Sequence, residues 1–284
     1  MTCLPQLRTF GRLVAFGIAA LTTTASNAGF MTFEAAGANP AAITPTRDAF
    51  RTAVGGGTVA GANGSFGGIR REINWDGVPD ARADPNPLPS NFFNVNSPRG
   101  VVFSTPGTGF LVSANTGVGP PILFGFSTDF QTFSAQRLFT AVNSNVTDVN
   151  FFVAGSADIA TTSAFGVIFT DVEVSGLTKI EFFDLNNISI YSHDALLTGN
   201  QGLAFLGAVA DAGERIGRVR ITSGLNTIAS NSMLGNPTDD VVVMDDFLYA
   251  EPRRAPEPGS LLLAGLGLAG LGMGRLRRRR PNVA

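Results

Sequence analysis

The amino-acid sequence predicts an all-β protein: a jelly-roll-like β-sandwich with a turn-rich N-terminal portion containing one short helix. A signal peptide precedes this body and a transmembrane helix follows it. Three observations predict the class. From Gly100 onward, short apolar runs alternate with turn residues about every 8–12 positions. Long helical periods are absent from that stretch. The 284 residues are 44% hydrophobic and 15% charged, with 23 Phe against 2 Tyr and 1 Trp. That excess of rings without hydroxyls suits a dry core between two sheets.

The chain begins MTCLPQLRTFGRLVAFGIAALTTTASNAGF. Arg8 and Arg12 precede an uncharged apolar run from Leu13 to Ala25. Ser26 and Ala28 then occupy the −3 and −1 places for cleavage before Gly29. This is the plan of a secretory signal peptide over residues 1–28, and the apolar run is short of the roughly 20 residues of a membrane span. Cys3, the single cysteine, leaves with it, so no disulfide supports the exported body.

Residues 29–254 form the secreted domain, with 29–99 turn-rich and 100–250 carrying the main strands. MTFEAAG is the first strand. Thr46–Val54 reads as a short helix capped by Thr46 and ended by Gly55-Gly56-Gly57. Gly, Pro, Asn and Asp then crowd the chain, with one strand over Ile69–Trp75. The later strands lie in RGVVFSTPG, FGVIFTDVEVSG, TKIEFFDLNN, ISIYSHD, GLAFLGAVAD, ERIGRVRITSG and DDVVVMDDFLYA. Arg218–Thr222 alternates cleanly, with Val219 and Ile221 on one face. Asn150-Phe151-Phe152-Val153 is apolar on both parities, as a strand buried on both faces would be.

Charge excludes one class of function. Seven arginines lie at the two ends; between them stand 13 basic and 22 acidic residues. A body of that sign does not attract nucleic acid. Composition excludes others. One histidine, His193, rules out multi-histidine metal sites, and a lone histidine beside Asp194 at a strand end reads as a solvated turn residue. No GxSxG accompanies it, and no glycine loop precedes Lys179, the single lysine. The expectation is therefore a protein that is not an enzyme. Paired carboxylates of a secreted hydrolase are the residual catalytic option.

Two ligand readings remain. Asp245 and Asp246 on the last strand, with Glu34 near the first, resemble a site of jelly-roll carbohydrate-binding modules. There the first and last strands lie side by side and a calcium ion staples them. The resemblance implies Glu34, Asp245 and Asp246 as ligands of a structural Ca²⁺. A second acidic loop, Asp76, Asp80, Asp84 and Asn86, lacks the spacing of a calcium loop. For sugar contact the candidate is Trp75, flanked by Asn74 and Asp76, with Tyr191 as a second aromatic; Trp75 reads equally as a plug at one end of the sandwich.

The chain closes with PEPGSLLLAGLGLAGLGMGRLRRRR. Gly265, Gly267 and Gly270 spell GxGxxG, but no acidic residue follows and the glycines sit inside the apolar run Leu261–Met273. That run reads as a short transmembrane helix. Arg275, Arg277, Arg278, Arg279 and Arg280 form its stop-transfer tail and hold it on the cytoplasmic side. Pro256, Glu257 and Pro258 stand just before it. This layout over residues 255–284 resembles the PEP-CTERM sorting signal of Gram-negative bacteria. The resemblance implies an exosortase-like membrane enzyme as partner, transient anchoring in the inner membrane, and a cell-surface or extracellular destination. It also implies a structural or adhesive role beside exopolysaccharide in a biofilm, with carbohydrate binding as the alternative.

Overall fold

The computed structural model describes residues 29–115, 122–228 and 240–255. In chain order these carry β1 (Phe30–Gly37), α1 (Pro40–Val54), β2 (Ser65–Phe66), β3 (Arg70–Ile73), α2 (Phe92–Val95), β4 (Val101–Ser104), β5 (Gly109–Val112), β6 (Phe139–Val142) and β7 (Val146–Phe151). Then come β8 (Ala160–Thr161), β9 (Ala164–Thr170), β10 (Lys179–Phe183), β11 (Ser189–Asp194), β12 (Leu203–Ala210), β13 (Arg218–Thr222), β14 (Val243–Ala250) and β15 (Arg253–Arg254).

The strands make the expected sandwich. One sheet runs β1-β12-β9-β14-β3-β2, with β6 joined to β14 and β5 to β6. The other runs β11-β10-β13-β7-β4. Every ladder among the described strands is antiparallel. The inner faces meet through rings: Phe165 packs on Phe151 and Phe182 at 6.5 Å each, and Tyr249 on Phe151 at 5.8 Å. The two edge-to-face pairs of Phe165 stabilise beyond the area that they bury.

Helix α1 adds a third layer over the larger sheet. Its buried Ile43 and Phe50 pack on Ala164, Ile168, Leu203, Phe205 and Leu248. Gly207 faces Gly166 across β12 and β9. A β-carbon on Gly207 would stand 3.0 Å from the Phe50 ring, so glycine there is what lets the ring come down. This cover explains where two-sided burial falls. β9 and β14 are buried at every residue. β7, expected to be buried on both faces, instead alternates, and Phe152 and Val153 beyond Phe151 are only half-buried. Helix α1 packs on β1, β12 and β14 of the other sheet.

The helix is longer than the sequence reading. It starts at Pro40, not Thr46, and Asn39 caps it by accepting from the Ala42 N–H. Pro40 at the first position fits a helix start, and Pro45 inside it removes a single backbone bond. Burial of Ile43 outweighs that loss. The end at Gly55 is as expected. There Arg70, 1% exposed, reaches from β3 to the carbonyls of Gly55 and Gly57 and caps the helix C-terminus. Glu72 accepts from Arg70 Nε at 2.7 Å and Arg51 Nε at 2.8 Å, which pins helix to sheet.

Candidate functional site

The register of the larger sheet gathers both ends of the body at one pole. Phe30 opens β1 opposite Ala210, the last residue of β12. Val209 faces Ala164 at the start of β9, and Phe165 faces Tyr249 near the end of β14. The chain therefore enters beside the point where it leaves. Three strand spacings separate the two, about 15 Å.

The exit is tied closely. Just past β14, Glu251 pairs with Arg71 of β3, Nε to Oε2 at 2.6 Å. Arg71 also donates to the Pro98 carbonyl at 3.0 Å. β15 then pairs with β8, Arg253 opposite Thr161 and Arg254 opposite Ala160. Arg254 carries a further ion pair with Asp158. The Ala255 N–H donates to the Ile159 carbonyl at 3.0 Å. Pro256 is the next residue, so ordered backbone runs up to the tripeptide.

Residues 254–280 match the PEP-CTERM protein-sorting motif. The PEP-CTERM motif makes this chain an exported protein with a membrane-anchored precursor, which an exosortase, a membrane enzyme, sorts. It overlaps the described body only at Arg254 and Ala255. Pro256, Glu257, Pro258, the apolar run Leu261–Met273 expected to span the membrane, and Arg275, Arg277, Arg278, Arg279 and Arg280 lie outside the described residues, as do Ser26 and Ala28. No curated protein and no solved structure matches the chain.

The body's predicted ligand residues fall in two separate places, Trp75 with Asp245 and Asp246 in one and Glu34 in the other. Trp75 is 1% exposed, stacked on Phe139 at 4.1 Å, with Nε1 donating to the Asp245 carbonyl at 2.7 Å. It is the plug and not a sugar platform, because its polar edge and its faces are used inside the core. Asp245 and Asp246 sit at a bulge of β14 where its register against β9 shifts between Met244 and Phe247. The bulge lets consecutive residues turn the same way. Ser134 Oγ donates to both, at 3.2 and 2.8 Å, and Asp245 also accepts from the Phe133 N–H at 2.6 Å. Both carboxyls are buried, and desolvation raises both pKa values, with Asp246 pushing Asp245 further.

Glu34 is elsewhere. The first and last strands do not lie side by side: β12 and β9 stand between β1 and β14. The three carboxylates are thus not brought together, and no group of three or more His, Cys, Asp or Glu among the described residues is placed to hold a metal. Strand order is set by long-range packing, which a local pattern does not record. Glu34 instead meets His193 Nε2 at 2.8 Å, its carboxylate accepting when that nitrogen carries a proton. His193 lies at the end of β11, opposite Ile180 and one residue before the last, Asp194. Beside it Thr32 Oγ1 meets the Tyr191 hydroxyl at 2.9 Å. These two contacts stitch the edge strands of the two sheets.

The acidic loop is structural too. Asp76 accepts from the N–H groups of Gln136 and Arg137, at 2.6 and 3.1 Å, and Asp80 pairs with Arg137. Sequence reasoning missed Asp148, which takes both Arg218 and Arg220 at 2.8 and 2.9 Å. The alternation of Arg218, Arg220 and Thr222 placed these arginines on one face, but not their shared partner one strand away. It also missed Asp211 and Glu214 beside Gly29, which are more than 180 residues away in the chain.

Proposed function

We propose that this is a non-catalytic protein of the cell surface or extracellular matrix, structural or adhesive in an exopolysaccharide-rich biofilm. A signal peptidase cuts before Gly29 and an exosortase acts at Pro256-Glu257-Pro258. The observation that carries the reading is the shared pole. With both addresses joined to one end, the precursor hangs from the membrane by that end and turns its opposite end outward. The charged side chains of the body support a scaffold. Glu72, Glu251 and Asp148 are each matched by arginines, and the single imidazole is engaged by Glu34.

The test is done in the native host. A strain lacking the gene is complemented with the wild type or with Pro256-Glu257-Pro258 replaced by alanines. The wild type is expected to restore matrix cohesion and the alanine form to stay in the membrane fraction without restoring it. Equal rescue by both, or a mutant strain with an unchanged matrix, defeats the proposal.

Sugar binding is the second reading, and one observation favours it. Tyr191 and His193 lie nearly parallel, 20° apart with centroids at 6.2 Å, on a seam that also presents Thr32 and Glu34. Tyr191→Ala should abolish glycan retention if that seam binds sugar.

A further inference from the structure

Gly29 is held by two acidic residues far from it in the chain. Its N–H donates to Glu214 Oε1 at 2.7 Å, and its carbonyl accepts from the Asp211 N–H at 3.1 Å. The Asp211 carboxylate stands over the same residue: a β-carbon on Gly29 would lie 2.0 Å from Asp211 Oδ1. Glu214 is itself oriented, because its Oε2 accepts from the Ala212 N–H at 3.1 Å. Neutral peptide N–H groups, from Gly29 and Ala212, are modest donors for this much negative charge. An ammonium, with three donors and a full positive charge, fits it better.

We propose that the amino group created by signal-peptide cleavage is the intended partner: the Gly29 ammonium forms a salt bridge with Glu214, with Asp211 alongside, and locks the start of β1. The proposal rests on the export reading above. In the cleavage step a signal peptidase breaks the Ala28–Gly29 peptide bond with water. The hydroxyl goes to the Ala28 carbonyl carbon and a proton to the Gly29 nitrogen. Ala28 leaves as a carboxylate, and the proton that it releases converts the amine to an ammonium. The uncleaved precursor makes this contact through the neutral Gly29 N–H, so only the mature chain makes it as an ion pair.

The charged groups at this spot favour the ammonium. Glu214 and Asp211 are both acidic, and Arg215, next in the chain and exposed, is the cation nearest in sequence. Desolvation pulls the Glu214 carboxyl upward, but the N–H groups of Gly29, Glu214 and Ala212 outweigh it and hold the pKa below the ordinary value. A residue larger than glycine at the new terminus would displace the Asp211 carboxylate.

The composition makes the test clean. Lys179 is the single lysine, so a chain beginning at Gly29 has two amines in all. Protein recovered from the host after export is sequenced from its N-terminus, then methylated with ¹³C-formaldehyde and titrated by NMR. Two amine signals are expected. The α-amine should titrate above its ordinary range of about 7.7–8.0. It should move back toward that range in Glu214→Gln, and in Asp211→Asn to a smaller extent, while the Lys179 signal stays in place. High salt on the wild type should shrink the shift without any substitution. A chain that begins at Gly29 but titrates in the ordinary range, or is indifferent to Glu214→Gln, overturns the salt bridge and leaves export untouched. A different first residue overturns the salt bridge together with cleavage before Gly29.

Discussion

Arg71 and Glu251 face each other in a two-point ion pair, Nε to Oε2 at 2.6 Å and Nη2 to Oε1 at 2.8 Å. The pair ties β3 to the residue that follows β14, at the pole from which the sorting segment departs. Arg71 spends its remaining donor on the carbonyls of Asn63 and Pro98. Glu251→Ala strips a partly buried guanidinium of its counter-ion. A loss of about 2 kcal/mol is expected, between the value of a surface pair and that of a buried one. Urea denaturation of the two proteins measures it, and a difference under about 0.5 kcal/mol would reduce the pair to surface decoration.

Glu72 has more to lose. It serves Arg70 and Arg51 together, and through them both the helix end and the helix face. Glu72→Ala leaves the buried Arg70 without a counter-ion and Arg51 with Asp48 alone, at a cost of about 3 kcal/mol. Amide hydrogen exchange should show α1 opening before the sheets. Unchanged protection in Ala41–Val54 would mean that Ile43 and Phe50 hold the helix unaided.

Trp75 is the single tryptophan and is therefore a built-in reporter. Trp75→Ala empties the space between Phe93, Phe103, Phe139 and Phe247 and should cost about 4 kcal/mol. Trp75→Phe keeps most of the packing but forfeits the bond to the Asp245 carbonyl, about 1 kcal/mol. Denaturation followed by circular dichroism ranks the two variants. Equal losses would mean that the indole N–H, and not the ring volume, carries the contribution.

Asp171 makes stability depend on pH. Burial is the main cause that lifts its pKa to about 7; the Gln201 N–H opposes it, and Glu173, Asp129 and Asp240 add to it. In the unfolded chain it titrates near 3.9. Between about pH 4 and pH 7 the folded state thus holds a proton that the unfolded state has released. The contribution is full below that window and is lost as pH rises through it. Asp171→Asn should raise the melting temperature near pH 8, with the gain vanishing near pH 4. Asparagine also tolerates the positive φ of 73° found there. A gain that is the same at both pH values would point to a cause other than ionisation.

What could be read in the sequence was what is local. β13 carries its alternation in five residues, and its burial follows the pattern, Val219 and Ile221 inward. The end of α1 was visible in three consecutive glycines. Its start was not, because Pro45 imitates a boundary and the burial that overrides it comes from Ala164, Ile168 and Phe205 in other strands. Side-by-side placement of Glu34 and Asp245 failed for the same reason. Which strand neighbours which depends on contacts over a hundred residues apart, and so does the meeting of Gly29 with Glu214. The sorting segment was the most legible part, since its signal lies in consecutive letters.

The most direct measurement is the intact mass of the protein recovered from its native host, with membrane and culture fractions separated. A surface or culture form whose C-terminus falls at about Pro256–Pro258 is expected, with the apolar run and its arginines gone. A sole form that retains Leu261–Ala284 in every fraction would make the tail a plain anchor, and processing by an exosortase would have to be given up.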